Sequence, residues 1–234
     1  MYLILSNGSA LIVIKIFFLL LPPFLLHKIL PKILFKDRAK LFNIIMEFFL
    51  QTISYTILPL VLIGFKDLQS IFSIEQIFEF NTAKVMIILY LITLPFLCIG
   101  VRIRKLQEEY PLWKGFKTSK LQMKISYIFL YLLYYINWEF YFRGILILYM
   151  LNNYPGEFSG NKDYNFTILN FVQSILAGLF HYDKPLPEFI VSFPANFIFG
   201  YIAYQYRSII PCIIIHYLIG VTFDLLATYA RGKN

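Results

Sequence analysis

The chain has 234 residues, 59% of them hydrophobic, with a mean hydropathy of +0.67 and a net charge of +8. A soluble domain with so few polar residues could not cover its own surface, whereas a lipid-facing surface needs no such cover. The basic excess does not point to nucleic acid, because Lys and Arg gather in short loops between apolar runs, where membrane proteins retain them on the cytoplasmic side.

Apolar runs of about 20 residues match a hydrocarbon core about 30 Å thick, and about seven such spans are expected along the chain. The first, Ser9–Leu26, is broken by Pro22-Pro23. It lacks the basic start and small-residue cleavage site of a signal peptide, so it reads as an uncleaved span. Leu41–Phe65 and Val85–Val101 follow. The fourth span, Ile125–Leu151, is long enough to tilt or bend, and the fifth, Phe166–His181, is short. The sixth, Glu188–Tyr206, holds Pro194 as an expected kink, and the seventh is Ser208–Tyr229. The fold class is therefore an all-α membrane bundle, expected as one domain over residues 1–234. Two loops, Asp67–Phe80 and Arg104–Lys120, interleave apolar and charged residues. Each reads either as a helix lying in the membrane interface or as simple aromatic anchoring.

Charge sets the expected topology. The loop with Lys28, Lys32, Lys36, Arg38 and Lys40 and the loop from Arg102 to Lys124 fit the inner side, as do Arg231 and Lys233. The nearly balanced loops Lys66–Lys84 and Asn152–Asn165 fit the outer side. Seven alternating spans then place the N-terminus outside and the C-terminus in the cytoplasm. Abundant Ile, Lys, Phe, Tyr and Asn suggest an AT-rich genome and hence a bacterial plasma membrane. Cys98 and Cys212 both lie inside apolar runs and form neither a disulfide framework nor a zinc motif.

Ionisable groups inside a bilayer are costly and tend to mark function. On the fourth span Glu139 and Arg143 are one turn apart on one face. They pair either as helix glue or as part of a site. The fifth span carries Asn170, Ser174 and His181, and the sixth a stripe of Glu188, Ser192, Asn196 and Gly200. On the seventh, His216 and Gly220 share a face, with Asp224 about 80° around from His216. One Glu and two His on three spans suggest two chemistries. One is a His₂Glu metal site, with zinc bound by Glu139, His181 and His216. The other is metal-free, with Glu139 as general base on water and the histidines as partner and oxyanion stabiliser. Counting along the spans leaves His181 nearer the inner end than Glu139 and His216. His27, beside Lys28, reads as an interface residue.

The runs Trp138–Gly144 (WEFYFRG), Phe180–Glu188 (FHYDKPLPE) and Ser208–His216 (SIIPCIIIH) resemble the CPBP family, the CAAX-protease-and-bacteriocin-processing intramembrane proteases related to type II CAAX prenyl endopeptidases. The resemblance covers about Asn137 to Leu226, within a motif-bearing core of 125–230. It implies an intramembrane endopeptidase acting on a membrane-embedded or lipidated protein, with Glu139, His181 and His216 catalytic. Arg143, Asn196, Glu188 and Asp224 are then supporting or substrate-binding residues. The metal-free form is favoured, since one Glu would have to serve as both ligand and base. The sequence departs from the family pattern at three places: Trp138 stands for the first Glu of the pair, Ala177 for a Phe, and Gly220 for an Asn after the second His. Asn196 or Asp224 is expected to supply what Gly220 lacks. The competing readings are a degenerate homologue acting as an immunity or scaffold protein, and a proton-coupled transporter. The transporter is disfavoured by the absence of half-repeat symmetry.

Overall fold

The computed structural model describes residues 24–35, 37, 40–63, 71–72, 80–153 and 161–230. These residues form eight helices. A π-turn, Phe24–Ile29, leads into α1 (Leu30–Leu34). The second helix, α2, begins as Leu41–Thr52 and continues through a wide turn, Ile53–Ile57, into Leu58–Ile63. Next come α3 (Phe80–Gly100) and the short α4 (Arg104–Glu109). Helix α5 begins as Leu121–Glu139, widens to π geometry over Phe140–Tyr149 and ends with Met150–Asn153. The last three are α6 (Lys162–Leu179), α7 (Leu186–Tyr206) and α8 (Ile210–Ala230).

This is an all-α integral membrane protein. Among the described residues, four helical stretches are long and apolar enough to cross a bilayer by length and composition: Leu41–Val61, Asn81–Gly100, Leu186–Tyr206 and Ile210–Ala230. The second to seventh expected spans each coincide with a helix. The first, Ser9–Leu26, lies almost wholly outside the described residues, as does most of Asp67–Phe80.

Local chemistry explains the helix ends. Asn161 caps α6 by accepting from the backbone N–H groups of Asp163 and Tyr164 at 2.9 and 3.1 Å. Asp163 also places negative charge on the positive end of the helix. Helix α7 starts with proline in its first turn and ends at Arg207, whose φ of 46° is left-handed. That turn lets the Ser208 N–H bond the Ala203 carbonyl at 3.2 Å and sends the chain straight into α8. Helix α7 runs through Pro194 as one continuous helix.

Helix α5 sits at the centre. It packs on α2, α6, α7 and α8, while α8 also lies along α3. Its aromatic stripe Tyr127, Tyr131 and Tyr135 joins Ile44 and Phe48 of α2 with Leu112, Trp113 and Phe116. The apolar residues of the Arg104–Lys120 segment are therefore core residues rather than membrane anchors: Trp113 is 1% exposed. At one end of the bundle, three contacts join α1, the end of α4 and the residue after it to the α6–α7 turn and the start of α7. Lys32 pairs with Asp183 at 2.9 Å, Lys184 with Glu109, and the Tyr110 hydroxyl donates to Glu188 at 2.6 Å. Burial, with Glu188 alongside, pushes the Tyr110 phenol well above its usual value. At the other end Phe72 bridges Ser208, and the Ile209 N–H bonds the Ile71 carbonyl.

Candidate active site

Glu139 ends the regular part of α5, where the helix widens, a feature that recurs at functional sites. Its carboxylate is fully buried and held from two sides. Arg143 Nε lies 3.1 Å from Oε2, and His216 Nδ1 lies 2.5 Å from Oε1. The Arg143 guanidinium, also fully buried, donates from Nη2 to Asn196 Oδ1 at 2.5 Å and lies over the Phe199 ring. Asn196 in turn donates to the Ser192 carbonyl at 2.7 Å. Behind it, Gln173 of α6 donates to the Asn196 carbonyl and to Asn170 Oδ1. A charge pair in low dielectric is tolerable only when its remaining donors and acceptors find partners. Asn196 supplies one such partner to Arg143 and His216 one to Glu139, so that with Gln173 behind Asn196 the network ties α5, α6, α7 and α8 together around the pair.

His216 is the point where this network meets open space. It is sandwiched between Tyr135 (ring centroids 4.4 Å apart) and Phe199 (5.2 Å). Its side chain is 22% exposed and lines a cavity of about 440 Å³. His181 lines the same cavity from the turn after α6, with Nδ1 2.8 Å from the Ala177 carbonyl. Trp138 stands edge-on to the His181 ring, 5.3 Å between centroids. The unequal depth expected for His181 thus does not separate the two histidines, because α6 stops at Leu179 and its C-terminal turn carries the ring to the cavity wall. Tyr110, Tyr131, Tyr134 and Phe180 supply further aromatic wall, and Glu47, Glu109, Asp183 and Glu188 the acids.

The predicted site residues therefore fall into three places. His181, His216 and Glu188 line the cavity. Glu139, Arg143 and Asn196 form the buried network behind His216, and Glu139 is absent from the cavity wall. Asp224 lies in a different environment, where its Oδ2 accepts from the Tyr127 hydroxyl at 2.5 Å. The notch beside Gly220 is filled by neither Asn196 nor Asp224. A Cβ built on Gly220 would come within 1.8 Å of the Tyr135 hydroxyl, so Tyr135 occupies that space. Sequence reasoning missed Tyr135, Trp138 and Phe199 as site residues. Their only sequence signal is aromatic character one turn from Glu139, next to it, and on the helix facing it.

The residues suit a three-ligand metal site poorly. Both Glu139 oxygens are engaged by Arg143 and His216, and Glu139 is absent from the cavity wall that both histidines line. Among the described residues no group of three His, Cys, Asp or Glu side chains is arranged to hold a metal ion. Cys212 is buried and donates to the Phe199 carbonyl, and Cys98 is exposed; neither is in a disulfide.

Residues 120–222, from the start of α5 through most of α8, match the family model of type II CAAX prenyl endopeptidase Rce1-like proteins. No curated protein matches the chain, and neither does any solved structure. The matched segment carries Glu139, Arg143, His181, Asn196 and His216. That match supports membership of the CAAX-protease-and-bacteriocin-processing family, the CAAX-type intramembrane proteases.

Proposed function

We propose that the protein is an intramembrane endopeptidase that hydrolyses a peptide bond of a membrane-embedded or lipidated protein by a Glu139–His216 dyad, without metal. One observation carries this reading: His216 is bonded to buried Glu139 through Nδ1 while the same ring lines the cavity it shares with His181. With Nδ1 occupied, Nε2 is the ring nitrogen left to meet water. Glu139 then acts as a positioning residue. It fixes the tautomer and ring orientation and stabilises the positive charge that the ring gains.

In this mechanism His216 Nε2 takes a proton from water as the water oxygen bonds to the scissile carbonyl carbon. The C=O π pair moves onto the carbonyl oxygen. Collapse of that oxyanion breaks the C–N bond, and His216 returns its proton to the departing amine. His181, across the cavity, orients the water or the carbonyl. Arg143 and Asn196 keep Glu139 in place. Glu188, Glu109 and Lys184 form the mouth through which substrate enters, and the basic loops at that end suit a mouth on the cytoplasmic side. The core of the activity is the bundle of α5 to α8, within a single domain.

Purified protein in liposomes, offered a library of lipidated and transmembrane peptides, should generate new peptide ends detectable by mass spectrometry. His216→Ala should lower that cleavage by about 10³-fold or more, the scale seen when a general base is removed. Near-normal turnover by His216→Ala would overturn the assignment. Comparing the peptide ends of membranes from cells with and without the gene would then identify the natural substrate.

A further inference from the structure

Tyr135 is the one hydroxyl in the cavity wall that touches the ring of the proposed base. Its ring lies 4.4 Å from that of His216, at 48° to it, and 4.9 Å from Tyr131. Its hydroxyl reaches past His216 into a notch on α8, one turn further along the helix, where residue 220 has no side chain. An ideal Cβ at Gly220 would lie 1.8 Å from the hydroxyl oxygen and 2.5 Å from Cζ, contacts that no real side chain tolerates. Only glycine at 220 admits the tyrosine in this pose. The tyrosine is 5% exposed yet lines the cavity, so its rotamer is fixed by packing on two sides while its edge meets the open space.

Three properties follow from that placement. The phenol is a donor held on the same helix face as the base, one turn away. It is rigid, so donating would require no reorganisation during reaction. It also sits among aromatic walls, where a hydrogen bond to developing charge is stronger than in water. An amide-cleaving site that provides a base must also provide a donor for the carbonyl oxygen. The amides of Asn196, Asn170 and Gln173 are already spent within the buried network. We infer that the Tyr135 hydroxyl, seated in the Gly220 notch, is the oxyanion donor of this site. This inference rests on the peptidase reading and adds a catalytic residue to it. As water adds and the carbonyl π pair moves onto oxygen, the phenol donates a hydrogen bond to that oxygen and keeps its proton throughout.

Tyr135→Phe removes the donor and keeps the ring against His216. In the liposome assay kcat should fall by about 10²-fold or more, the usual loss on removing one oxyanion donor, with KM little changed. Gly220→Ala should give a similar fall with the tyrosine intact, by displacing its hydroxyl. Replacing Tyr135 with 3,5-difluorotyrosine keeps the shape and makes the phenol more acidic, so folding is not at issue. A more acidic phenol that stays protonated is at least as good a donor, so this variant should keep a kcat close to wild type. A Tyr135→Phe enzyme with wild-type kcat, or a fluorinated enzyme slowed as much as Tyr135→Phe, would overturn the inference. Running His216→Ala in the same assay separates the two ideas. If that variant loses cleavage while Tyr135→Phe retains it, only the role of Tyr135 fails; if both retain it, the peptidase mechanism itself fails.

Discussion

Helices α3 and α5 both coincide with expected spans, yet they meet opposite surroundings. On α3, Ile87, Leu91, Ile92 and Phe96 are between 55% and 68% exposed, which is a surface for lipid. Over Phe140–Ile145 of α5, by contrast, all six residues are buried, including the charged Arg143. Lipid solvates α3, and protein solvates α5. A helix wrapped by other helices needs no uniformly apolar surface, which frees it to carry Asn137, Glu139 and Arg143. The stretches that pass by length and hydropathy are α2, α3, α7 and α8, and the helix at the centre of the site is absent from them.

Substitutions that test this contrast should have graded effects. The largest is expected at Arg143. Arg143→Met leaves Glu139 buried beside a single partner and should cost about 3–5 kcal/mol, as when one member of a buried ion pair is removed. Thermal unfolding in detergent would measure it, and Arg143→Met combined with Glu139→Met should recover much of the loss. An unchanged midpoint for the single variant would mean that the network contributes little to the fold.

A middle effect is expected where α6 and α7 meet. A Cβ on Gly200 would come within 1.8 Å of Asn170 Oδ1 and 2.8 Å of Gln173 Nε2. Gly200→Ala should therefore destabilise by about 1–3 kcal/mol, as overpacking does, and lower cleavage through the displaced amides. The smallest effect belongs to α3. Leu91→Ala changes a lipid-facing surface and should stay within about 0.5 kcal/mol of wild type. A large loss there would show that α3 is covered by a partner rather than by lipid.

What the sequence makes legible follows the same division. The Glu139–Arg143 pair is readable because four-residue spacing on a helix is enough to predict it, and the two side chains lie 3.1 Å apart. The stripe of Ser192, Asn196 and Gly200 is readable as a packing face for the same reason. That Asn196 holds Arg143, or that His216 holds Glu139, is not readable, since it depends on which helices are neighbours and at what height. Trp113 is hidden for another reason. It lies in a lysine-rich segment that resembles an interfacial loop, and only the fold shows its ring buried against Tyr127 and Phe116. Tyr135 is one tyrosine among several on α5. What singles it out is a missing side chain at residue 220 on another helix, a relation between two positions that periodicity along one helix does not reveal.

The central claim is that Glu139 works through His216 and that the two act as one unit. A double-mutant cycle on peptide cleavage tests it most directly. Glu139→Gln and His216→Ala should each lower kcat/KM by a similar, large factor, and the double variant should be no slower than the worse single one, as for groups that act together. Independent losses that multiply in the double variant, or a Glu139→Gln enzyme that retains near-normal turnover, would contradict the account.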